Sequence, residues 1–266
     1  MTARAQGEQP PAISADPLTE VIEESSLPWF LDALAYPVSA SGAVNIAVFV
    51  ILPQIVGFVI GRLSGFIASR LPMGGASYIT GLLTLPFYIA FGGYVCYYLA
   101  HCVTDSSRGQ RRASDIQIAR TLDFGDLFSQ VVILLACVAM ACWPVAVYYG
   151  WAAWIERTEP ADLWYWLLGS LGVFFLPMSF LAGVIFDTFD ALNPLLIVQS
   201  IWRTFVPYCG LVLFFLAVTA LAIEVIPILP VWAFLRQAMQ IYLLLVLANS
   251  VGRFYWRNRE KLDWGL

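Results

Sequence analysis

One acidic side chain stands inside a predicted membrane-spanning stretch of this sequence. Glu224 lies within the apolar run 208–229, where a charge is so costly that it usually has a function or an opposite charge beside it. Arg236 stands about as far after Pro227 and Pro230 as Glu224 stands before them. In an antiparallel hairpin turning at these prolines, the two would meet as an intramembrane ion pair. The pattern predicts either this structural pair or a carboxylate that couples transport to a proton or ion.

A second polar group follows the fourth apolar run. Asp187, Asp190 and Asn193 stand between that run and the short apolar stretch 194–203. We expect them to form a polar cluster at the cytoplasmic face, where an enzyme acting on lipid would place its site. Asn193 is also suited to cap a helix whose first turn holds Pro194. That helix is too short to span the membrane, so it would lie on the surface or partly re-enter.

The remaining residue types with reactive side chains do not form a recognisable site. His101 is the only histidine and stands beside Cys102, whereas a zinc site needs three or four converging ligands. The five cysteines show no CxxC spacing and are typical of small core residues. Phosphate-binding glycine loops, HExxH and GxSxG are absent from the sequence. We therefore predict no catalytic residue, no metal and no cofactor, which argues against an enzyme without excluding one.

The first apolar run carries two signs of helix packing. Gly57, Gly61 and Gly65 recur every four positions, and such a stripe lets another helix backbone approach closely in lipid. The stripe predicts a helix-packing seam, either within the chain or between copies in a homo-oligomer. Asn45 and Gln54 are polar at or near membrane depth, and they predict hydrogen bonds between helices.

The composition of the sequence predicts the helices that position these residues. The 266 residues are 60% hydrophobic and 12% charged, with a mean hydropathy of +0.77. Soluble domains carry about 25% charged residues, and a run of about 20 apolar residues crosses the ~30 Å hydrocarbon core as a helix. The sequence therefore predicts an all-α, polytopic transmembrane helix bundle with about six spans and short interfacial helices. The spans are expected near 44–68, 79–103, 127–149, 163–186, 208–229 and 231–251.

The sequence on either side of the spans divides into tails and a surface segment. Residues 1–26 are acidic and lack apolar periodicity, so they predict a disordered N-terminal tail. The transmembrane domain is expected over 27–251, and its first part predicts a short helix in the headgroup layer that includes Leu34 and Tyr36. Residues 252–266 are expected to form a cytoplasmic C-terminal tail.

Basic residues predict the orientation, because short loops rich in Lys and Arg stay in the cytoplasm. An arrangement with both ends inside puts ten of the fourteen basic residues on the cytoplasmic side. These are Arg4, Arg108, Arg111, Arg112, Arg120, Arg203, Arg253, Arg257, Arg259 and Lys261. The basic surface is short and lies beside the membrane, so we predict no nucleic-acid partner.

Several short motifs resemble those of a family of uncharacterised bacterial multi-pass membrane proteins, defined only as a domain of unknown function. They are Tyr36-Pro37, Gly92-Gly93-Tyr94, Arg108-Gly109-Gln110, Leu122-Asp123-Phe124-Gly125-Asp126-Leu127-Phe128, Phe186-Asp187 and Ala191-Leu192-Asn193-Pro194. The resemblance covers about residues 27–250. It implies an integral membrane protein of a bacterial cytoplasmic (inner) membrane, and it supplies no activity.

Three functions fit these patterns. The first is a non-enzymatic membrane subunit or scaffold, with the lipid bilayer and either a homo-oligomer or a larger membrane complex as its partners. The second is a small secondary transporter that uses Glu224. The third is a lipid-acting membrane enzyme at the cytoplasmic face. A transporter predicts a polar cavity between spans, an enzyme a polar cleft at headgroup depth, and a scaffold neither.

Overall fold

The computed structural model describes residues 33–68, 75–110, 124–155, 162–188 and 193–264. Helices make up all regular structure in these ranges, which confirms the predicted all-α class. The predicted disordered tail 1–26 lies outside the described residues, and so does Asp190.

Seven helices carry labels within the described ranges. They are α1 (Ala40–Ala68), α2 (Gly75–Ser107), α3 (Phe124–Trp154), α4 (Leu163–Phe186), α5 (Pro194–Arg203), α6 (Phe205–Ala220) and α7 (Ala233–Leu262). A 3-10 turn, Tyr36–Val38, precedes α1. A π-helical turn, Leu221–Val225, and a last helical turn, Ile226–Ile228, extend α6.

Five of these helices are long and apolar enough to cross a membrane, namely α1, α3, α4, α6 with its extension, and α7. The chain is therefore a multi-pass membrane protein. The remaining long helix, α2, has 33 residues and packs against α1, α3 and α7. It coincides with the second predicted span, 79–103, and its crossing stays a prediction.

The core forms where α2 and α7 cross. A Cβ atom added to Gly252 of α7 would lie 2.4 Å from the Val103 carbonyl oxygen of α2, so glycine is what allows the two backbones to approach this closely. Beside this contact, the Ser106 hydroxyl donates a hydrogen bond of 2.6 Å to Asn249 Oδ1. Both side chains are buried. The crossing therefore joins an early and a late helix through a close contact and a buried polar bond.

A second close contact joins α3 to α4. A Cβ atom added to Gly172 would lie 2.3 Å from the carbonyl oxygen of Ala141. The Cys137 thiol, on the same face of α3, donates to the Ser179 carbonyl oxygen at 3.3 Å. These contacts make α3 and α4 an antiparallel pair, and that pair forms one wall of the site described below.

The last helix is longer than the sequence predicts. The final span is expected to end near Val251, but α7 continues to Leu262. The reason is a second buried stripe beyond the span, in which Phe254, Tyr255, Asn258 and Leu262 recur at helical spacing and are buried. The region predicted as a cytoplasmic tail is therefore largely a helix packed against the rest of the chain.

The segment before α1 packs into the core of the protein. Tyr36, expected at the headgroup layer, is only 2% exposed and packs in the main core. Burial, followed by the nearby Cys102, raises the pKa of its hydroxyl. The Tyr242 hydroxyl of α7 also donates to the Leu34 carbonyl oxygen. This short segment therefore folds back against α7 and is part of the protein core, and its position in the headgroup layer stays a prediction.

Two predicted polar contacts between helices are confirmed. The Asn45 amide of α1 donates to the Tyr98 hydroxyl of α2 at 2.9 Å, in a buried position. The Gln54 amide donates to Gln237 Oε1 of α7 at 3.1 Å, in an exposed position. These bonds tie α1 to the two helices that cross at the core.

Candidate functional site

A polar cleft opens near the end of the bundle where α2 and α4 finish and α3 begins. Its volume is about 310 Å³, at the lower end of the range of ligand pockets, roughly 300–1,000 Å³. The described residues that line it are Tyr97, Ala100, His101, Thr104, Gln130, Val184 and Asp187. The cleft thus gathers the single histidine of the chain, a carboxylate and an amide from three helices.

Gln130 and Asp187 are joined directly across the cleft. Gln130 Nε2 donates to Asp187 Oδ1 at 2.8 Å. The opposite orientation of the amide would set its oxygen against the carboxylate, so chemistry fixes which atom faces Asp187. Gln130 Oε1 is buried and has no hydrogen-bond partner among the described residues. One polar atom of the cleft wall is therefore unpaired within the described residues and out of reach of solvent.

The side chains of α2 that line the cleft are held in place by contacts within their own helix. The Thr104 hydroxyl donates to the Ala100 carbonyl oxygen at 3.0 Å, which leaves the lone pairs of its oxygen able to accept. The rings of Tyr97 and His101 meet edge to face, with centroids 5.3 Å apart. These neighbours restrict the side chains that line the cleft.

Asp187 has an unusual backbone conformation. It is the C-cap of α4, with φ of 50° in the left-handed region, and its N–H donates to the Gly183 carbonyl oxygen at 3.1 Å. Residues other than glycine adopt this region only occasionally, and Asp tolerates it better than most. The turn ends α4 and carries the carboxylate to a position level with Gln130 of α3.

The depth of the cleft follows from the apolar lengths of its helices. Gln130 lies just inside the apolar stretch Phe128–Trp154, and Asp187 directly follows the stretch Leu163–Phe186. Both side chains therefore stand where the apolar stretches meet the polar ends of their helices.

The predicted polar cluster is divided between two environments. Asp187 faces Gln130, whereas the Asn193 side chain caps α5 by accepting from the Leu195 N–H at 3.0 Å. Pro194 occupies the first turn of α5. The predicted cap is confirmed, and Asn193 serves its own helix rather than the cleft.

Glu224 and Arg236, which the sequence predicts as an ion pair, have different contacts in the structure. Glu224 is exposed and lies in the π-helical turn, while Arg236 Nη2 donates to the Leu229 carbonyl oxygen at 3.4 Å. In the part of the chain that the structure describes, no ion pair joins the two side chains. The π turn interrupts the regular α-helical spacing of side chains at Glu224. Equal depth in the hairpin is therefore not sufficient to form the pair.

The predicted glycine seam faces away from the rest of the described chain. A Cβ atom added to Gly57, Gly61 or Gly65 would meet no described atom within 4 Å. The flanking side chains of Phe58 and Phe66 are exposed as well. The seam is therefore not filled by another described helix of the same chain.

Two further cavities are apolar. The larger, of about 460 Å³, lies between α1, the end of α6 and α7 and includes Ile46, Leu221 and Tyr242. The smaller, of about 150 Å³, lies among α2, α3, α4, α6 and α7 and includes Cys137 and Phe215.

Glu224 is not among the described residues lining any of the three cavities. Within the described ranges, no group of three or more His, Cys, Asp and Glu side chains could hold a metal ion.

Sequence reasoning found Asp187 but missed its partners in the cleft. Gln130 is a lone amide near the start of an apolar run, and His101 and Thr104 stand near the end of another. The available signal was their similar distance from the same end of the bundle.

Comparison with protein-family models, with curated proteins and with solved structures finds no match for this chain.

Proposed function

We propose that this protein is a non-enzymatic subunit or scaffold of a larger membrane assembly. The observation that carries the proposal is the glycine seam of α1, which no described part of the same chain covers. A helix surface of small residues offers lipid tails little contact area, whereas it fits another helix closely. A seam left open within the chain therefore suits a helix of a second protein or a second copy.

The surroundings of the seam support the same conclusion. The second half of α1 and residues 81–90 of α2 carry mostly exposed side chains where the structure describes them. They include Phe58, Phe66, Leu82 and Leu85. This surface is apolar, so it belongs in the membrane, and it is broad enough to receive a neighbouring helix next to the seam.

We also propose a bacterial cytoplasmic membrane, with both ends of the chain in the cytoplasm. The orientation is supported by the basic residues near one end of the bundle, among them Arg108, Arg203 and Arg257. The bacterial location is supported by the resemblance to the family of multi-pass membrane proteins, which contributes no activity.

Short α5 fits a position on the membrane surface at that end. Leu195, Val198 and Trp202 are exposed along one side, whereas Ile197 and Ile201 are buried against the bundle. An apolar exposed side is suited to contact with lipid rather than water. α5 would therefore lie at the cytoplasmic boundary, beside the cleft-forming end of α4.

The test is to fill the seam. Gly61→Leu should disrupt the assembly, because the longer side chain occupies the surface that a partner helix would contact. Gly210→Leu is a matched control on α6, since a Cβ atom there also meets nothing within 4 Å. The size of the complex extracted in mild detergent is measured for the full chain and both variants by light scattering.

The proposal predicts a wild-type particle larger than one chain, reduced by Gly61→Leu and kept by Gly210→Leu. Two copies with different tags show whether the partner is the same protein, because only a homo-oligomer lets one tag retrieve the other. A wild-type protein that is monomeric in native lipid extracts, or a complex that Gly61→Leu leaves intact, would contradict the proposal.

A further inference from the structure

We propose that Glu224 and Arg236 form ion pairs between two copies of this chain, in a dimer whose two-fold axis runs along the membrane normal. The inference rests on the proposed function, because it takes the assembly to exist and names a second copy as the partner. It does not depend on the glycine seam of α1, since the two charges lie on the extension of α6 and on α7.

Neither charge meets an opposite charge within the described residues. Glu224 is exposed and makes no hydrogen bond or ion pair there. Arg236 is partly exposed, and its hydrogen bond goes from Nη2 to the Leu229 carbonyl oxygen at 3.4 Å. Both stand in apolar stretches long enough to cross a membrane. A charge in such a stretch is costly unless an opposite charge or water compensates it, so a partner from outside the chain would stabilise both.

The Glu224 side chain faces outward from the bundle. Ile226 is only 1% exposed and packs in a buried cluster with Leu243 of α7. Glu224 precedes Ile226 by two positions, which is about half a turn around the helix. Its neighbour Ile223 is exposed as well. Glu224 therefore points away from α7 of its own chain and toward whatever surrounds the bundle.

The two charges lie at nearly the same depth. Glu224 stands four positions before the end of the apolar stretch Phe205–Ile228, and Arg236 stands three positions after the start of the stretch Ala233–Leu262. The difference of one residue is about 1.5 Å along a helix. A two-fold axis along the membrane normal keeps every residue at its own depth. Glu224 can therefore meet the partner's Arg236, and the symmetry forms a second, identical pair at the same time.

The surface around the charges is apolar and suits a second copy. Ile228, Trp232 and Leu235 are exposed. The apolar cavity of about 460 Å³ lies beside them, and it is lined by Leu229, whose carbonyl oxygen accepts from Arg236. Burying this surface lowers the effective dielectric constant and strengthens the attraction between the charges. An anionic lipid would compensate Arg236 alone, whereas a second copy compensates both charges.

The test exchanges the charges. In a dimer of Glu224→Arg chains, both contacts set a base against a base, and in a dimer of Arg236→Glu chains both set an acid against an acid. Each variant should lose self-association by at least about tenfold. In a mixed dimer of the two variants, each contact again joins an acid and a base, so the mixture should regain association. Energy transfer between labelled full-length chains is measured in phosphatidylcholine vesicles as the protein is diluted with lipid.

Glu260→Arg is the matched control, because it makes the same change at an exposed position near the other end of α7. It should leave self-association unchanged. Association regained in the mixture also shows that both reversed variants fold. If the single variants lose association and the mixture does not regain it, or if neither variant loses it, the inference is overturned.

Neutral variants keep the inference testable if a reversed charge prevents insertion. Glu224→Gln and Arg236→Gln each leave one charge without its partner, so each should weaken self-association. The double variant should associate no more weakly than either single variant, because it leaves no unpaired charge. Losses that add in the double variant would show that the two residues act independently, which contradicts the pair.

The outcomes separate this inference from the proposed function. A wild-type complex that contains other proteins but no second copy keeps the assembly and overturns the ion pairs. Self-association that depends on the two charges but is unaffected by Gly61→Leu supports the ion pairs and contradicts the role of the seam. A wild-type chain that stays monomeric in vesicles and in native lipid extracts overturns both.

Discussion

Glycines at the two ends of this bundle have opposite surroundings. At the packed end, where α2, α4, α5 and α7 meet, a Cβ atom on Gly252 would lie 2.4 Å from a backbone oxygen. At the open end, formed by the second half of α1 and residues 81–90 of α2, a Cβ atom on Gly61 would meet nothing within 4 Å. Glycine at the packed end already serves a contact within the chain, whereas glycine at the open end has room for a contact that another molecule must supply.

The same contrast holds for polar groups. Ser106 and Asn249 are fully buried partners at the packed end, with 0% of either side chain exposed. Gln54 and Gln237 form their bond toward the open end in an exposed position. The packed end should therefore determine the stability of the isolated chain, and the open end should determine what it binds.

The largest difference in the free energy of unfolding is expected between two glycine-to-alanine substitutions. Gly252→Ala should destabilise the protein by about 1–3 kcal/mol or more, because the new methyl group clashes with backbone that cannot easily move. Gly61→Ala should change stability by less than about 1 kcal/mol, since helix propensity is the main term. Unfolding in SDS mixed micelles, followed by tryptophan fluorescence, measures both. Equal losses would show that the two ends are not distinct.

A smaller difference in the free energy of unfolding is expected between two serine-to-alanine substitutions. Ser106→Ala removes the donor to buried Asn249 and should cost about 1 kcal/mol. Ser170→Ala removes an exposed hydroxyl that bonds only to the Leu167 carbonyl oxygen of its own helix, and it should be nearly neutral. The same unfolding measurement applies. A loss at Ser170 as large as that at Ser106 would refute the assignment of stability to the packed end.

The smallest expected effect is at Gln54. Gln54→Leu removes the exposed bond to Gln237 and should cost only about 0.5 kcal/mol, near the average for such bonds between membrane helices. Asn45→Leu removes the buried bond to the Tyr98 hydroxyl and should cost more. The order of the two unfolding midpoints is the measurement. A reversed order would show that exposure does not rank these contacts.

The sequence predicted features that depend on one helix at a time. Apolar runs located the helices, and Asn193 with Pro194 identified the start of α5, because capping and hydropathy are local properties. Contacts between helices were harder to predict. The expected partnership of Glu224 and Arg236 was based on equal depth in the hairpin, but Arg236 donates to the Leu229 carbonyl oxygen and Glu224 is exposed. The Gln130 contact with Asp187 joins residues 57 positions apart, and no local pattern specifies it.

The crossing of α2 and α7 also has a consequence for biosynthesis. The bond from Ser106 to Asn249 spans 143 positions, so α2 is translated and inserted long before its principal neighbour exists. Until α7 emerges, the surface around Val103 and Ser106 has no helix to complete it. A nascent chain that stops before Gly252 would leave this surface open to lipid, insertion factors and proteases. The surface of α2 around Val103 and Ser106 is therefore covered only after α7 has been made.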